Sequence, residues 1–289
     1  MNKDLIKLNL GASPIWHKDG WHTLDHKFTT STKEVIVGDA INIDLPDESC
    51  EVVFCSHLFE HIPHYRLPIV ISEINRILTP GGILRILTPN LKLLCEKYVN
   101  DDYDFFNKIK QENEGIRTDL GLGGMLTNFI VSPGQDTILM DRGLKEFIGG
   151  YAHIYAYDFD MLSKIFGTLG FIDCNNSKFC ESSMIEMNEP LHIDSLPPVW
   201  QDLNQDLYNK HGFTHKLIDG KYKIDFRVTG FDRNPLISLI IETKKEIYVN
   251  KEKANRIFNL SMDNYNMYGR TLLNDIEVKE KLDDFGIKY

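Results

Sequence analysis

Five short apolar runs within the first hundred residues constrain this chain most. They are Leu5–Leu10, Trp21–Asp25, Val35–Val37, Glu51–Cys55 and Ile83–Leu87. Their lengths suit strands rather than helices. Near-continuous apolar character marks strands buried on both faces of a parallel sheet. Between the fourth and fifth runs, Leu67, Val70, Ile71, Ile74, Ile77 and Leu78 recur at three and four residues, the apolar stripe of one helix. Glu73 and Arg76 lie off that stripe. Pro68 suits the first helical turn, and Pro80-Gly81-Gly82 is expected to stop the helix. A strand, helix and strand in this order make a βαβ crossover, which is almost always right-handed. The runs therefore predict an open α/β sheet with its ligand crevice at the carboxyl ends of the strands.

The remainder of the chain extends this pattern. Residues 90–150 read as mostly helical, interrupted at Gly121, Gly123 and Gly124 and ended by Gly149-Gly150. Asp158 to Leu169 reads as a helix closed by Gly170, and Phe171–Cys174 as a sixth strand. Residues 181–233, with Pro190, Pro197 and Pro198, read as an insertion before a last strand at Leu236–Glu242. The expected organisation is one domain over 1–250, with 90–150 as a helical cap segment, and a helical tail over 251–289.

Composition narrows the partners. Among 289 residues, 42 acids against 32 bases leave a net charge of −10. Such a chain lacks the basic footprint of a duplex-binding protein, so no nucleic-acid partner is expected. No apolar run approaches the ~20 residues of a membrane span. The Met1-Asn-Lys-Asp start leads directly into a strand-like run without a secretory apolar region. The five cysteines (50, 55, 95, 174 and 180) form no CxxC pair, and reduced, mostly buried thiols in a cytoplasmic protein are expected.

The strand ends carry the chemistry. Gly11 closes the first run and lets backbone approach a ligand, because no Cβ intervenes. Asp25 closes the second; an acid there can accept from both ribose hydroxyls, or can simply stabilise a turn. Asp39 follows the third run with the same two readings, its ligand being an adenine amino group. Ser56-His57 closes the fourth.

Taken in order, these pieces resemble the class I S-adenosylmethionine-dependent methyltransferases, in particular their type-11 group. The matching text is Leu8-Asn-Leu-Gly11, Gly20-Trp-His-Thr-Leu-Asp25, Gly38-Asp-Ala40, Leu45-Pro-Asp-Glu-Ser49, Ser56-His-Leu-Phe-Glu-His61 and Glu73-Ile-Asn-Arg-Ile-Leu-Thr-Pro-Gly-Gly82. Gly150-Tyr-Ala-His153 and Asp158 to Phe171 look like that group's approach to its sixth strand. The resemblance covers about residues 5–175 and 236–243. It implies a Rossmann-like, mostly parallel sheet of seven strands in the order 3-2-1-4-5-7-6, the last antiparallel. It implies S-adenosylmethionine as cofactor, yielding S-adenosylhomocysteine. The implied cofactor-binding residues are Asn9, Gly11, Ala12, Ser13, Asp25, His26, Asp39, Ala40, Ser56 and His57. In this set Gly11 to Ser13 pass the amino-acid portion, Asp25 holds the ribose, Asp39 and the Ala40 amide hold adenine, and Ser56 and His57 flank the sulfonium. Ser13 stands where the group usually has a second glycine. Gly11 and Asp25 are only fourteen positions apart (25 − 11), so the first crossover helix is short or absent.

Two further patterns bear on the site. His57-Leu-Phe-Glu60-His61 matches the H-x-x-E-H text of inverted zinc peptidases, in which two histidines one helical turn apart share a metal and the glutamate activates water. Pro63 shortens any such helix, and the strand ends are unexplained by it, so no metal is expected. Glu60 and His61 then read as a packed, hydrogen-bonded helix start beneath the cofactor. His17, His22 and His26 crowd the early loops without ligand spacing. Tyr151, His153, Tyr155 and Tyr157 alternate, an extended stretch with one aromatic face. In the resembled fold that stretch passes over the site, making His153 the leading general base or acceptor-positioning residue and His57 its competitor. No Asn-Pro-Pro-Tyr or Asp-Pro-Pro-Tyr follows the fourth run, which disfavours amino-base DNA methylation. The expected reaction is O-methylation of a small molecule or sugar. The alternatives are a zinc-dependent hydrolase and a non-catalytic nucleotide-binding domain.

Overall fold

In the computed structural model the described residues are 5–12, 18–25, 35–64, 66–112, 121–131, 153–178, 181–187, 214–216, 222–224 and 237–246. Seven strands form one sheet: β1 (Ile6–Leu10), β2 (Trp21–Asp25), β3 (Val35–Val37), β4 (Cys50–Ser56), β5 (Leu78–Pro89), β6 (Phe171–Ser177) and β9 (Ser238–Lys245). Their order is β3-β2-β1-β4-β5-β9-β6. The first five run parallel, and β9 is antiparallel to both β5 and β6. This is the 3-2-1-4-5-7-6 order expected from the sequence. A separate hairpin joins β7 (Thr214–Lys216) and β8 (Tyr222–Ile224).

Alternation along the strands builds two buried faces. Val53 and Cys55 of β4 face one way, with Leu8, Leu10, Leu84 and Ile86, against α1 (Leu67–Ile77) and α5 (Phe159–Thr168). Val52 and Phe54 face the other way, with Trp21, Leu87 and Ile240, and Met187 packs over them. Thus the start of the expected insertion, 181–187, lies against the sheet. Lys7 bonds Glu186 across that contact at 3.0 Å.

Helix α1 follows its stripe: Leu67, Val70, Ile71, Ile74 and Ile77 are all buried. Glu73 is buried too, and serves the loop after β3. It accepts from the Ile43 amide, while Arg76 donates to Glu73, Asp47 and the carbonyls of Ile43 and Leu45. This clamp fixes the segment that follows Asp39 and Ala40. Helix α5 matches its sequence signals: Asp158 caps it by accepting from the Met161 amide, and Gly170 leaves it at φ +83°.

Two expectations are corrected. Pro80-Gly81-Gly82 does not stop the helix, which ends at Ile77, but lies within β5. Cys50 pairs Leu78 and Val52 pairs Ile83, so the Pro-Gly-Gly stretch is extra chain bulged out of the ladder. Gly123 and Gly124 do not interrupt a helix, whereas Gly121 opens one at φ +67°. They belong to α4 (Gly121–Val131), which packs with α2 (Leu91–Val99) and α3 (Tyr103–Glu112) through Leu94, Phe106, Leu122, Met125, Phe129 and Ile237. Apolar contact overrides their weak helix propensity.

Cys50 and Cys55 are buried, Cys174 is half-buried, Cys95 is exposed, and all four are free; Cys180 lies outside the described residues. Among the described residues, no helix is long and apolar enough to cross a membrane.

Candidate functional site

The carboxyl ends of β1, β2 and β4 lie side by side, because their parallel register places them there. The β1–β2 link has only ten residues (11–20), and none of its described residues is helical. Gly11 makes the sharp exit at φ +77°, and its amide donates to Leu24 O of β2. A Cβ there would meet the Leu58 side chain at 3.1 Å, so the first and fourth strand ends approach closely only through glycine. Asp25 ends β2, with its carbonyl accepting from the Gly38 amide. Asp39 uses one carboxylate oxygen in its own turn, accepting from the Ile41 amide at 3.1 Å. Ala40 follows in that turn. Ser13, His17 and His26 lie outside the described residues, as does Tyr151.

Two buried polar atoms at these strand ends stand out. Asn9 Oδ1 on β1 and Ser56 Oγ on β4 have no hydrogen-bond partner among the described residues. Leaving such groups unpaired costs about 1–3 kcal/mol each, which a polar ligand across the strand ends would recover. His22 Nδ1 on β2 is in the same condition.

Past Ser56 the chain turns through His57 at φ +51° into a single 3-10 turn, Phe59–His61. His57 Nδ1 lies 2.8 Å from Glu60 Oε1, and its Nε2 lies 3.0 Å from Ser238 Oγ at the start of β9. Glu60 Oε2 accepts from Thr88 Oγ1 at the end of β5. The Glu60 carbonyl accepts from the amides of Ile154 and Tyr155, docking the extended stretch onto the site. His153 arrives on that stretch. Its Nδ1 is 2.7 Å from the Phe129 carbonyl of α4, and its Nε2 is 4.0 Å from Glu60 Oε1. The His61 and His153 rings meet edge-on at 4.9 Å, and His64 stacks on Tyr155.

Glu60 is fully buried. Burial pushes its carboxyl up, but the charges of His57, His61 and His153 and the His57 hydrogen bond outweigh that and hold it at about 2. It is therefore ionised at neutral pH.

The structure brings His57 and His153, the two competing base candidates, together around Glu60. The H-x-x-E-H arrangement does not form: a three-residue turn carries Glu60 and His61, and both His57 nitrogens already have partners. Thr88 and Ser238 were not foreseen. Ser238 is 181 positions from His57, and no spacing rule reaches that far.

A family model described as a methyltransferase domain matches residues 18–86, the stretch holding Asp25, Asp39, Ser56, His57, Glu60 and His61. The strand order, with its antiparallel strand between the fifth and sixth, is that of the same fold. Residues 18–86 are thus similar to a methyltransferase domain. The unpaired Asn9 and Ser56 atoms fit a polar group laid across β1 and β4.

Among solved structures, the chain is similar to an S-adenosylmethionine-dependent methyltransferase from Archaeoglobus fulgidus, at 18% identity and TM-score 0.40 over 84% of this chain and 87% of that one. It is also similar to one from Mesorhizobium loti, at 11% identity and TM-score 0.39 over 83% and 91% of the two chains. A third is a putative methyltransferase from Bacillus halodurans, at 14% identity and TM-score 0.35 over 86% and 95%. No curated protein matches the chain in sequence.

Proposed function

We propose that the chain is a class I S-adenosylmethionine-dependent methyltransferase that methylates an oxygen of a small molecule or sugar, with the cofactor lying across the carboxyl ends of β1 to β4. In this reading Asn9, Gly11 and Ala12, followed by Ser13, border the amino-acid portion. Asp25, with His26 beside it, takes the ribose hydroxyls. Asp39 and the Ala40 amide take adenine, and Ser56 and His57 flank the sulfonium. The bound cofactor supplies an electrophilic methyl group, and the protein aligns the acceptor and excludes water.

One observation carries the acceptor side: His153 docks against the His57–Glu60 pair at the end of β4. A carbonyl only accepts, so in the neutral imidazole the Phe129 contact places the proton on Nδ1 and leaves a lone pair on Nε2. An acceptor hydroxyl beside Nε2 can pass its proton there as the methyl is transferred. Helices α2 to α4, tied to His153 through Phe129, would form the acceptor-side cap with the 181–233 segment. The four free cysteines support a reducing, cytoplasmic setting.

The test is calorimetry with S-adenosylhomocysteine, followed by an acceptor screen with radiolabelled cofactor. Binding should raise the melting temperature, a hundredfold excess over Kd being worth about 2.7 kcal/mol. No binding at millimolar ligand overturns the site assignment; binding with label passing only to nitrogen acceptors or macromolecules overturns the acceptor class.

A further inference from the structure

Apart from methyl transfer, the same end of the sheet holds an arrangement that the cofactor does not use. Glu60, His61 and one further histidine, His153, each present a ligand atom, and these atoms lie within 4.8 Å of one another. We propose that Glu60, His61 and His153 form a binding site for a divalent transition-metal cation of the zinc or iron(II) class.

The donor set is two imidazoles and one carboxylate, the nitrogen–oxygen set that such cations favour. Three protein ligands leave a coordination position open, as in reactive rather than purely structural sites. The outer contacts match as well. A metal-bound histidine typically donates its other ring N–H to a carbonyl or carboxylate. His153 does so, from Nδ1 to Phe129 O, which aims the Nε2 lone pair at Glu60 Oε1, 4.0 Å away. With His153 neutral, its Nε2 lone pair and the Glu60 carboxylate face one another, and a cation between them would satisfy both. Both Glu60 oxygens are also oriented, one by His57 and one by Thr88.

Ligands at about 2.0–2.2 Å around a tetrahedral ion lie roughly 3.3–3.6 Å apart. The 4.0 Å pair therefore needs to close by about half an ångström, and a pair at the 4.8 Å limit by a little over one, within reach of side-chain rotation. No metal was expected from the sequence, because Pro63 shortens the helix that the His57-x-x-Glu60-His61 text needs and that text leaves the strand ends unexplained. The third ligand stands ninety-two positions beyond His61 (153 − 61), and His57 orients the carboxylate from outside. With a cation bound, His153 Nε2 is a ligand and not a base, so this site and the base role separate by experiment.

The experiment uses the full chain, stripped with chelator and titrated with cobalt(II) alone, read by elemental analysis and visible absorption. The expected result is one cobalt per chain with d–d bands. His61→Ala and His153→Ala should each weaken binding more than about 100-fold, beyond the about 10–100-fold cost of losing an outer-shell partner. Urea midpoints check that the variants fold, and zinc competition checks that the bands report the site. Absence of stoichiometric cobalt, or binding unchanged in both folded variants, overturns the proposal. Cobalt binding in a protein that takes no S-adenosylhomocysteine supports this site while removing the methyl-transfer reading.

Discussion

His57 Nδ1 lies 2.8 Å from Glu60 Oε1, and through this contact the end of β4 is fastened to the turn that carries His61. Glu60 is fully buried and His57 nearly so, which makes the pair costly to break from one side. A double-mutant cycle with His57→Ala, Glu60→Gln and the double variant should give a coupling of about 1–3 kcal/mol in urea unfolding. Additive effects would show that the two side chains act independently.

Asp25→Ala should weaken S-adenosylhomocysteine binding while leaving the melting temperature of the free protein within a few degrees. Asp25 sits at the last position of β2, and the strand's register is carried by backbone bonds. Each hydrogen bond to a charged group is worth about 1.5–3 kcal/mol, so losing two ribose contacts should cost at least about tenfold in Kd. An unchanged Kd would place the ribose elsewhere.

Much of the sheet was legible because burial on both faces leaves a continuous apolar run in each strand, as in Glu51–Cys55 and Ile83–Leu87. The helix at Asp158 to Gly170 was legible because its cap and exit are local chemistry. What local pattern hides is long-range pairing. Glu60 reads as one carboxylate in a short turn, yet it gathers His57, Thr88, Ile154 and Tyr155 from three parts of the chain. The glycines of α4 mislead for a related reason: propensity speaks against a helix, and the contact of Leu122, Met125 and Phe129 with Leu94 and Phe106 decides for one.

The Pro80-Gly81-Gly82 bulge can be probed one glycine at a time. At Gly82 a Cβ would lie 2.8 Å from Thr79 O and 3.2 Å from Glu51 O, both backbone atoms that cannot swing away. Gly82→Ala should cost about 1–3 kcal/mol, as overpacking does. Gly81 has open space for a Cβ but stands at φ +79°, so Gly81→Ala pays only the left-handed penalty of about 1–2 kcal/mol. Gly81→Asn should recover part of the Gly81→Ala loss, since asparagine tolerates that region, whereas Gly82→Asn should recover none. Urea midpoints of the four variants give the comparison, and equal recovery at both positions would contradict the bulge geometry.

The last expectation concerns pH and the far side of the sheet. Arg85 is wholly buried in β5 and donates to Glu242 on the neighbouring β9 at 3.1 Å. Glu242 also accepts from Ser182 Oγ, Ser183 Oγ and the Ser183 amide. Burial pushes the Glu242 carboxyl up, but these bonds and the Arg85 charge prevail and lower it from 4.5. A carboxyl lowered by folding contributes stability that is fully present above its unfolded value. That stability is lost as pH falls below about 4.5 and through the folded value. Glu242→Gln removes the titrating group and breaks its buried ion pair with Arg85 from one side, a loss of about 3–5 kcal/mol at pH 7. As pH falls through the lowered folded value the native carboxyl takes up its proton and comes to resemble the glutamine. The gap between native and variant urea stabilities should therefore be widest at pH 6–7 and shrink steadily toward pH 3. A gap that stays constant over this range would mean that Glu242 is not held ionised by Arg85 and the two serines.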